Sequence, residues 1–118
     1  MLRVEPGRRI WLCTTATDMR KSFDGLAADV RSRLGENPVS GHWFAFINRR
    51  CTQIKVLTFE AGGYCLWSKR LEAGQFGGLG SGDGIKRSLQ PTEFLALLEG
   101  VDMLIKKQRK RYPMMAAA

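Results

Sequence analysis

Three short segments, Trp43 to Ile47, Gln53 to Phe59 and Tyr64 to Leu71, constrain this chain more than any other feature. Each is rich in aromatic and β-branched residues, which suit a pleated, half-buried surface. Only Asn48-Arg49-Arg50-Cys51-Thr52 and Glu60-Ala61-Gly62-Gly63 separate them. Connections this short make antiparallel hairpins, so the segments predict a three-stranded β-meander. Apolar residues fall on both faces of it, and pattern alone does not say which face meets a helix.

The flanking sequence supplies the remaining layers. Arg9 to Thr14 reads as a first strand after the Pro6-Gly7 turn. Met19, Phe23, Leu26, Val30 and Leu34 then draw one apolar stripe at helical spacing, with Thr17 or Asp18 placed to cap its start. Arg20, Lys21, Asp24 and Arg31 fall largely off that stripe. Gly35 supplies a left-handed residue at the helix end. Gly25 inside the helix costs about 1 kcal/mol against alanine, which implies a close neighbour there. From Gly74 to Gly84 six of eleven residues are glycine, which reads as a flexible loop. Ile85 to Leu89 reads as an edge strand, and Pro91 suits the first turn of a second helix carrying Phe94, Leu95, Leu97, Leu98 and Val101. The expected class is α+β: an antiparallel β-meander packed with one long helix in the N-terminal half and a short C-terminal helix. Residues 1–105 form the expected single domain, and residues 106–118 a basic, disordered tail.

Composition excludes several functions. The net charge of +8 favours a polyanionic partner, although Lys106, Lys107, Arg109, Lys110 and Arg111 carry much of it. Cys13, Cys51 and Cys65 are odd in number and contain no C-x-x-C pair, which fits thiols in a reducing cytoplasm. No apolar run is long enough to span a bilayer, and no apolar segment follows the charged start as a secretory signal requires. A cytoplasmic protein with no membrane contact is expected. His42 is the sole histidine and cannot build a multi-histidine metal site. Asp18, Asp24 and Asp29 step by six and five, which points them around a helix rather than at one ion pair. The glycine loop lacks the Gly-Lys-Ser/Thr ending of a phosphate cradle and precedes a strand. No enzymatic activity and no cofactor are expected.

Two groups of residues are left as candidate sites. The meander brings Arg49, Arg50, Lys55, Lys69 and Arg70 to one end of the sheet, where cations can grip nucleic-acid phosphates. Phe46, Phe59, Tyr64 and Trp67 lie on the same strands, either as core or as stacking platforms for bases. In the stretch from Asp18 to Leu26, capping and core account for only some residues. Arg20, Lys21 and Asp24 have no evident structural duty and suit a protein partner, with Arg20 and Asp24 sharing one helix face.

Four stretches in order resemble a known family. They are Asp18-Met19-Arg20-Lys21-Ser22-Phe23-Asp24-Gly25-Leu26; Asn48-Arg49-Arg50 with Lys55 and Leu57; Leu66-Trp67-Ser68-Lys69-Arg70-Leu71-Glu72-Ala73-Gly74-Gln75-Phe76; and Leu97-Leu98-Glu99-Gly100-Val101-Asp102. Over about residues 1–103 the chain resembles TnpB, the second open-reading-frame product of bacterial insertion sequence sixty-six elements. The resemblance implies an accessory role in transposition beside a separate transposase, and it supplies no catalytic residues. DNA and the transposase are the expected partners; the alternative is a pure adaptor for the transposase that never touches nucleic acid. The chain departs from the family pattern after Phe76, where Gly77-Gly78-Leu79-Gly80 stands in place of the usual Trp-Pro pair, and at Met103, where an aromatic is common.

Overall fold

A computed structural model describes residues 6–100 of the chain. Its elements run β1 (Ile10–Cys13), α1 (Phe23–Ser32), β2 (Trp43–Ile47), β3 (Gln53–Glu60), β4 (Gly63–Arg70), β5 (Lys86–Leu89) and α2 (Pro91–Leu98). The five strands form one sheet in the order β4-β3-β2-β1-β5. β2, β3 and β4 are antiparallel neighbours, with Phe44 opposite Leu57 and Val56 opposite Trp67. The sheet is nonetheless mixed. β1 pairs with β2 in parallel, Trp11 opposite Phe44, and α1 lies in the crossover that a parallel pair requires. β5 returns antiparallel to β1 as the far edge.

The apolar residues on both faces of the sheet are explained by two covers. Alternation along β2 sends Phe44 and Phe46 to one side and Trp43, Ala45 and Ile47 to the other, and all five are buried. On the first side Leu26, Ala27, Val30 and Leu34 pack with Phe44, Phe46, Leu57 and Cys13. On the second side Phe94, Leu97 and Leu98 of α2, with Phe76, close over Ile10, Leu12, Ile54 and Val56. Trp43 and Phe94 meet edge to face there, ring centres 5.7 Å apart.

Helix α1 is shorter than its apolar stripe. Met19 to Ser22 stay outside it, and Phe23 is 44% exposed rather than in the core. The reason is competition for the backbone. The Asp18 carboxylate accepts the Arg20 N–H at 2.9 Å, a local turn that displaces a helical start. The Lys55 ammonium takes the carbonyls of Met19 and Lys21, each at 2.8 Å. Gly35 ends the element at φ +65°, where the Glu36 N–H reaches the Val30 carbonyl.

The glycine-rich segment is pinned rather than loose. Phe76 is buried in the core and its N–H bonds the Cys51 carbonyl at 2.7 Å. Gly80 N–H bonds the Thr14 carbonyl, and the Thr14 hydroxyl donates to the Gly84 carbonyl, both at 2.7 Å. Gly78, at φ +108°, lies so close to Leu12 that a Cβ would stand 2.7 Å from its Cδ2. The expected tail, residues 106–118, lies outside the described residues, as does Met103.

A candidate interface at the tip of the sheet

The turn between β2 and β3 is closed by one side chain. Asn48 Oδ1 accepts the N–H groups of Thr52 and Gln53 at 2.8 and 3.0 Å, and Asn48 Nδ2 donates to the Thr52 hydroxyl at 3.1 Å. Gln75 Nε2 donates to the Arg50 carbonyl at 2.9 Å from the outside. Arg49 and Arg50 are exposed at the tip of this closed turn and form no salt bridge among the described residues.

The other three cations expected beside them have separate duties. Lys55 faces α1 and holds the Met19 and Lys21 carbonyls. Lys69 faces the opposite side and donates to the Leu98 carbonyl at 2.7 Å, capping the end of α2. Arg70 is exposed and bonded to Glu72 at 3.2 Å, a surface pair of little energetic weight. The five cations share an end of the sheet but not a face. The aromatic residues do not join them. Phe46 is in the core under α1, Trp67 packs against the cluster on the opposite face, and Phe59 meets Tyr64 at 5.1 Å next to the Ala61-Gly62 turn, at the far end of β3.

A second segment reaches the tip. After β1, the Thr17 N–H bonds the Ile47 carbonyl at 2.9 Å, which lays residues 16–19 beside the end of β2. This segment is clasped from α1. Asp29, nearly buried, accepts both Lys21 Nζ at 2.9 Å and Arg33 Nη1 at 3.1 Å. Arg33 also donates to the Thr17 hydroxyl at 3.1 Å, the Thr15 hydroxyl at 2.7 Å and the Ala16 carbonyl at 3.2 Å. Gly25 explains itself here: a Cβ on it would stand 3.2 Å from Lys21 Cβ and Cγ, so its absence lets the lysine stem cross the helix start. Lys21 is therefore an internal tie, and Arg20 and Asp24 do not share a helix face because Arg20 precedes the helix. Arg20 instead forms a two-pronged ion pair with Asp18, Nη2 to Oδ2 2.7 Å. Hydrogen bonds from the Arg20 side chain, then from its N–H, hold the Asp18 carboxyl down from its ordinary 3.8 to about 2.

Between the two segments lies a cleft of about 410 Å³ lined by Ala16, Thr17, Asp18, Met19, Asn48, Arg49 and Arg50. Two of the motifs that carry the family resemblance thus form its opposite walls, with Gln75 from a third behind the Arg49-Arg50 turn. A family model described as IS66 Orf2-like protein matches residues 8–108.

The chain belongs to this family. IS66 Orf2-like proteins are accessory proteins of insertion elements, which associates the chain with transposition. Two relatives come from Sinorhizobium fredii. Protein y4hO is 37% identical over 94 residues, 80% of this chain and 81% of the relative. Protein y4jC is 33% identical over 102 residues, 86% of each chain. No solved structure matches significantly.

Sequence reasoning named Arg49 and Arg50 as site residues and Asp18 only as a possible cap, but not the cleft that joins them. Its walls Ala16, Thr17, Met19 and Asn48 were readable only as cap, core or turn. Asn48 carried a usable signal, since asparagine before a tight turn favours this side-chain closure. His42 proves a strand-end residue: its Nδ1 accepts the Arg9 N–H at 3.0 Å, tying the starts of β1 and β2. Among the described residues no helix is long and apolar enough to cross a membrane.

Proposed function

We propose that the protein serves transposition as a non-enzymatic, cytoplasmic DNA-binding accessory, gripping the DNA backbone with the tip of its sheet. The observation that carries this reading is the pair Arg49 and Arg50, exposed on a turn closed by Asn48 and left without acidic partners among the described residues. Unneutralised guanidiniums on a rigid base are preorganised for phosphate. Arg70, tied only to an exposed glutamate, is placed to exchange that partner for a phosphate. Lys55 and Lys69 act through the fold, the first by holding the cleft wall and the second by capping α2. The test is fluorescence anisotropy with labelled element-end DNA at low salt. Binding weakened by Arg49→Ala with Arg50→Ala, at unchanged thermal stability, is expected; no detectable binding by the intact protein would reject the reading.

A second reading, an adaptor for the transposase, draws on Phe23. It is 44% exposed at the start of α1, flanked by exposed Asp24 and beside the Lys21 tie. An apolar ring in a mixed-charge setting suits a protein surface better than a phosphate backbone. Phe23→Ser with Asp24→Lys should abolish co-purification with the transposase and leave DNA affinity nearly unchanged if this surface docks.

A further inference from the structure

The cleft at the tip contains more than a phosphate grip needs. One wall carries Arg49 and Arg50, the other Asp18, and the apolar residues Ala16 and Met19 also line it. The Asp18 charge is neutralised by Arg20, so the residue enters the cleft as an acceptor and suits a ligand that supplies a donor as well as an anion. A carboxylate has about four acceptor positions. Arg20 meets them with three N–H groups, its backbone N–H, Nε and Nη2, and the Nε proton is shared between the two oxygens, so one position is only half-used and open to a competing donor. The volume of about 410 Å³ is in the range of small-ligand pockets and admits a nucleobase but not a base pair within a helix.

We propose that this cleft takes one unpaired nucleotide of single-stranded DNA: Arg49 and Arg50 on its phosphates, Met19 and Ala16 against the base, and the Asp18 carboxylate accepting from an exocyclic amine. The proposal rests on the DNA-binding reading above and names the form of DNA that this site reads. A carboxylate accepting from the amine of cytosine is a standard base contact, and an unpaired base exposes the edge that bears it. Thymine has no exocyclic amine, so the cleft discriminates between the two pyrimidines at equal size. Hydrogen bonds from Arg20 hold the Asp18 carboxyl low, so it is an ionised acceptor at neutral pH. The clasp of Asp29, Arg33 and Lys55 on the loop keeps the carboxylate at a set distance from the arginine turn.

The experiment compares labelled oligodeoxycytidine, oligothymidine of the same length and a duplex, using the full chain, its Asp18→Asn variant and its Arg49→Ala/Arg50→Ala variant. The preference for oligodeoxycytidine over oligothymidine should be roughly tenfold, the size of one good base contact. Asp18→Asn keeps an oxygen for the Arg20 N–H but frees the guanidinium, so absolute affinity is expected to rise. The diagnostic is the ratio, which should fall to about one. The arginine variant should weaken both oligonucleotides alike and preserve their ratio. Equal binding of the two oligonucleotides by the intact chain overturns the base slot and leaves only the phosphate grip. Binding of duplex alone also overturns it, while the DNA-binding function stands. Failure to bind any of the three, with the transposase captured through Asp18 or Arg49, overturns both and assigns the cleft to a peptide.

Discussion

The ammonium of Lys21 lies 2.9 and 3.0 Å from the two carboxylate oxygens of Asp29, eight residues further along the chain. Asp29 is almost fully buried and holds Arg33 as well, so one carboxylate fixes both the end of α1 and the loop before it. Asp29→Asn would leave two cations facing a neutral amide inside the fold. It should cost roughly 2–3 kcal/mol, measured by urea denaturation, since hydrogen bonds to charged groups and buried ion pairs lose most when one partner is removed. A loss below 0.5 kcal/mol, about what a surface substitution costs, would show that the clasp carries no weight.

Gly78→Ala should destabilise the protein by about 2 kcal/mol. The new methyl meets Leu12 in a filled core, and the φ of +108° is one that alanine rarely adopts. Gly80→Ala makes the comparison informative. That position also has positive φ but open space around it, so its cost is conformational only and should be about 1 kcal/mol.

The ion pair of Asp18 with Arg20 sets a pH window. The folded-state value is depressed to about 2 from 3.8, so the stabilisation from ionised Asp18 is complete above the unfolded value and is lost as pH falls through about 2. Carboxyl carbon shifts followed by NMR should place its midpoint near the lower figure. Arg20→Ala removes the main cause and should return the midpoint toward ordinary aspartate values.

Salt dependence counts phosphate contacts. Each one contributes about −0.9 to the slope of log affinity against log salt on duplex DNA. Replacing Arg49 and Arg50 with alanine should therefore flatten that slope by roughly 2. A slope that does not move would place the contacts elsewhere on the chain.

Residues 106–118 supply five further cations and one aromatic, Tyr112. A chain ending at Ile105 should bind all DNA sequences more weakly by a common factor, because such contacts position without reading sequence. Its thermal midpoint should be unchanged; a large drop would give this segment a part in the fold.

Local features were legible in the sequence where the physics is local. The strand segments follow from β-branched and aromatic runs bounded by turn residues, and Gly35 at φ +65° follows from the steric cost of that conformation to other residues. Leu26, Val30 and Leu34 are buried as their spacing implies, because helical periodicity reports a face directly. Only the tertiary structure decided what depends on distant partners. The start of α1 is set by Lys55, which reaches Lys21 from 34 positions away, and by the Asp18 turn, so Met19 falls before the helix and Phe23, its first residue, is exposed although both continue the apolar stripe. The parallel pairing of β1 with β2 arises from a crossover whose ends have no local signature. Which cations face a ligand was likewise undecided in one dimension. Arg49, Arg50, Lys55 and Lys69 all offer a positive charge, but a lysine facing unpaired helix-end or loop carbonyls is consumed by them, whereas an arginine on a turn closed by asparagine is not. That difference lies in the carbonyls each cation meets, and the chain brings those together only when it folds.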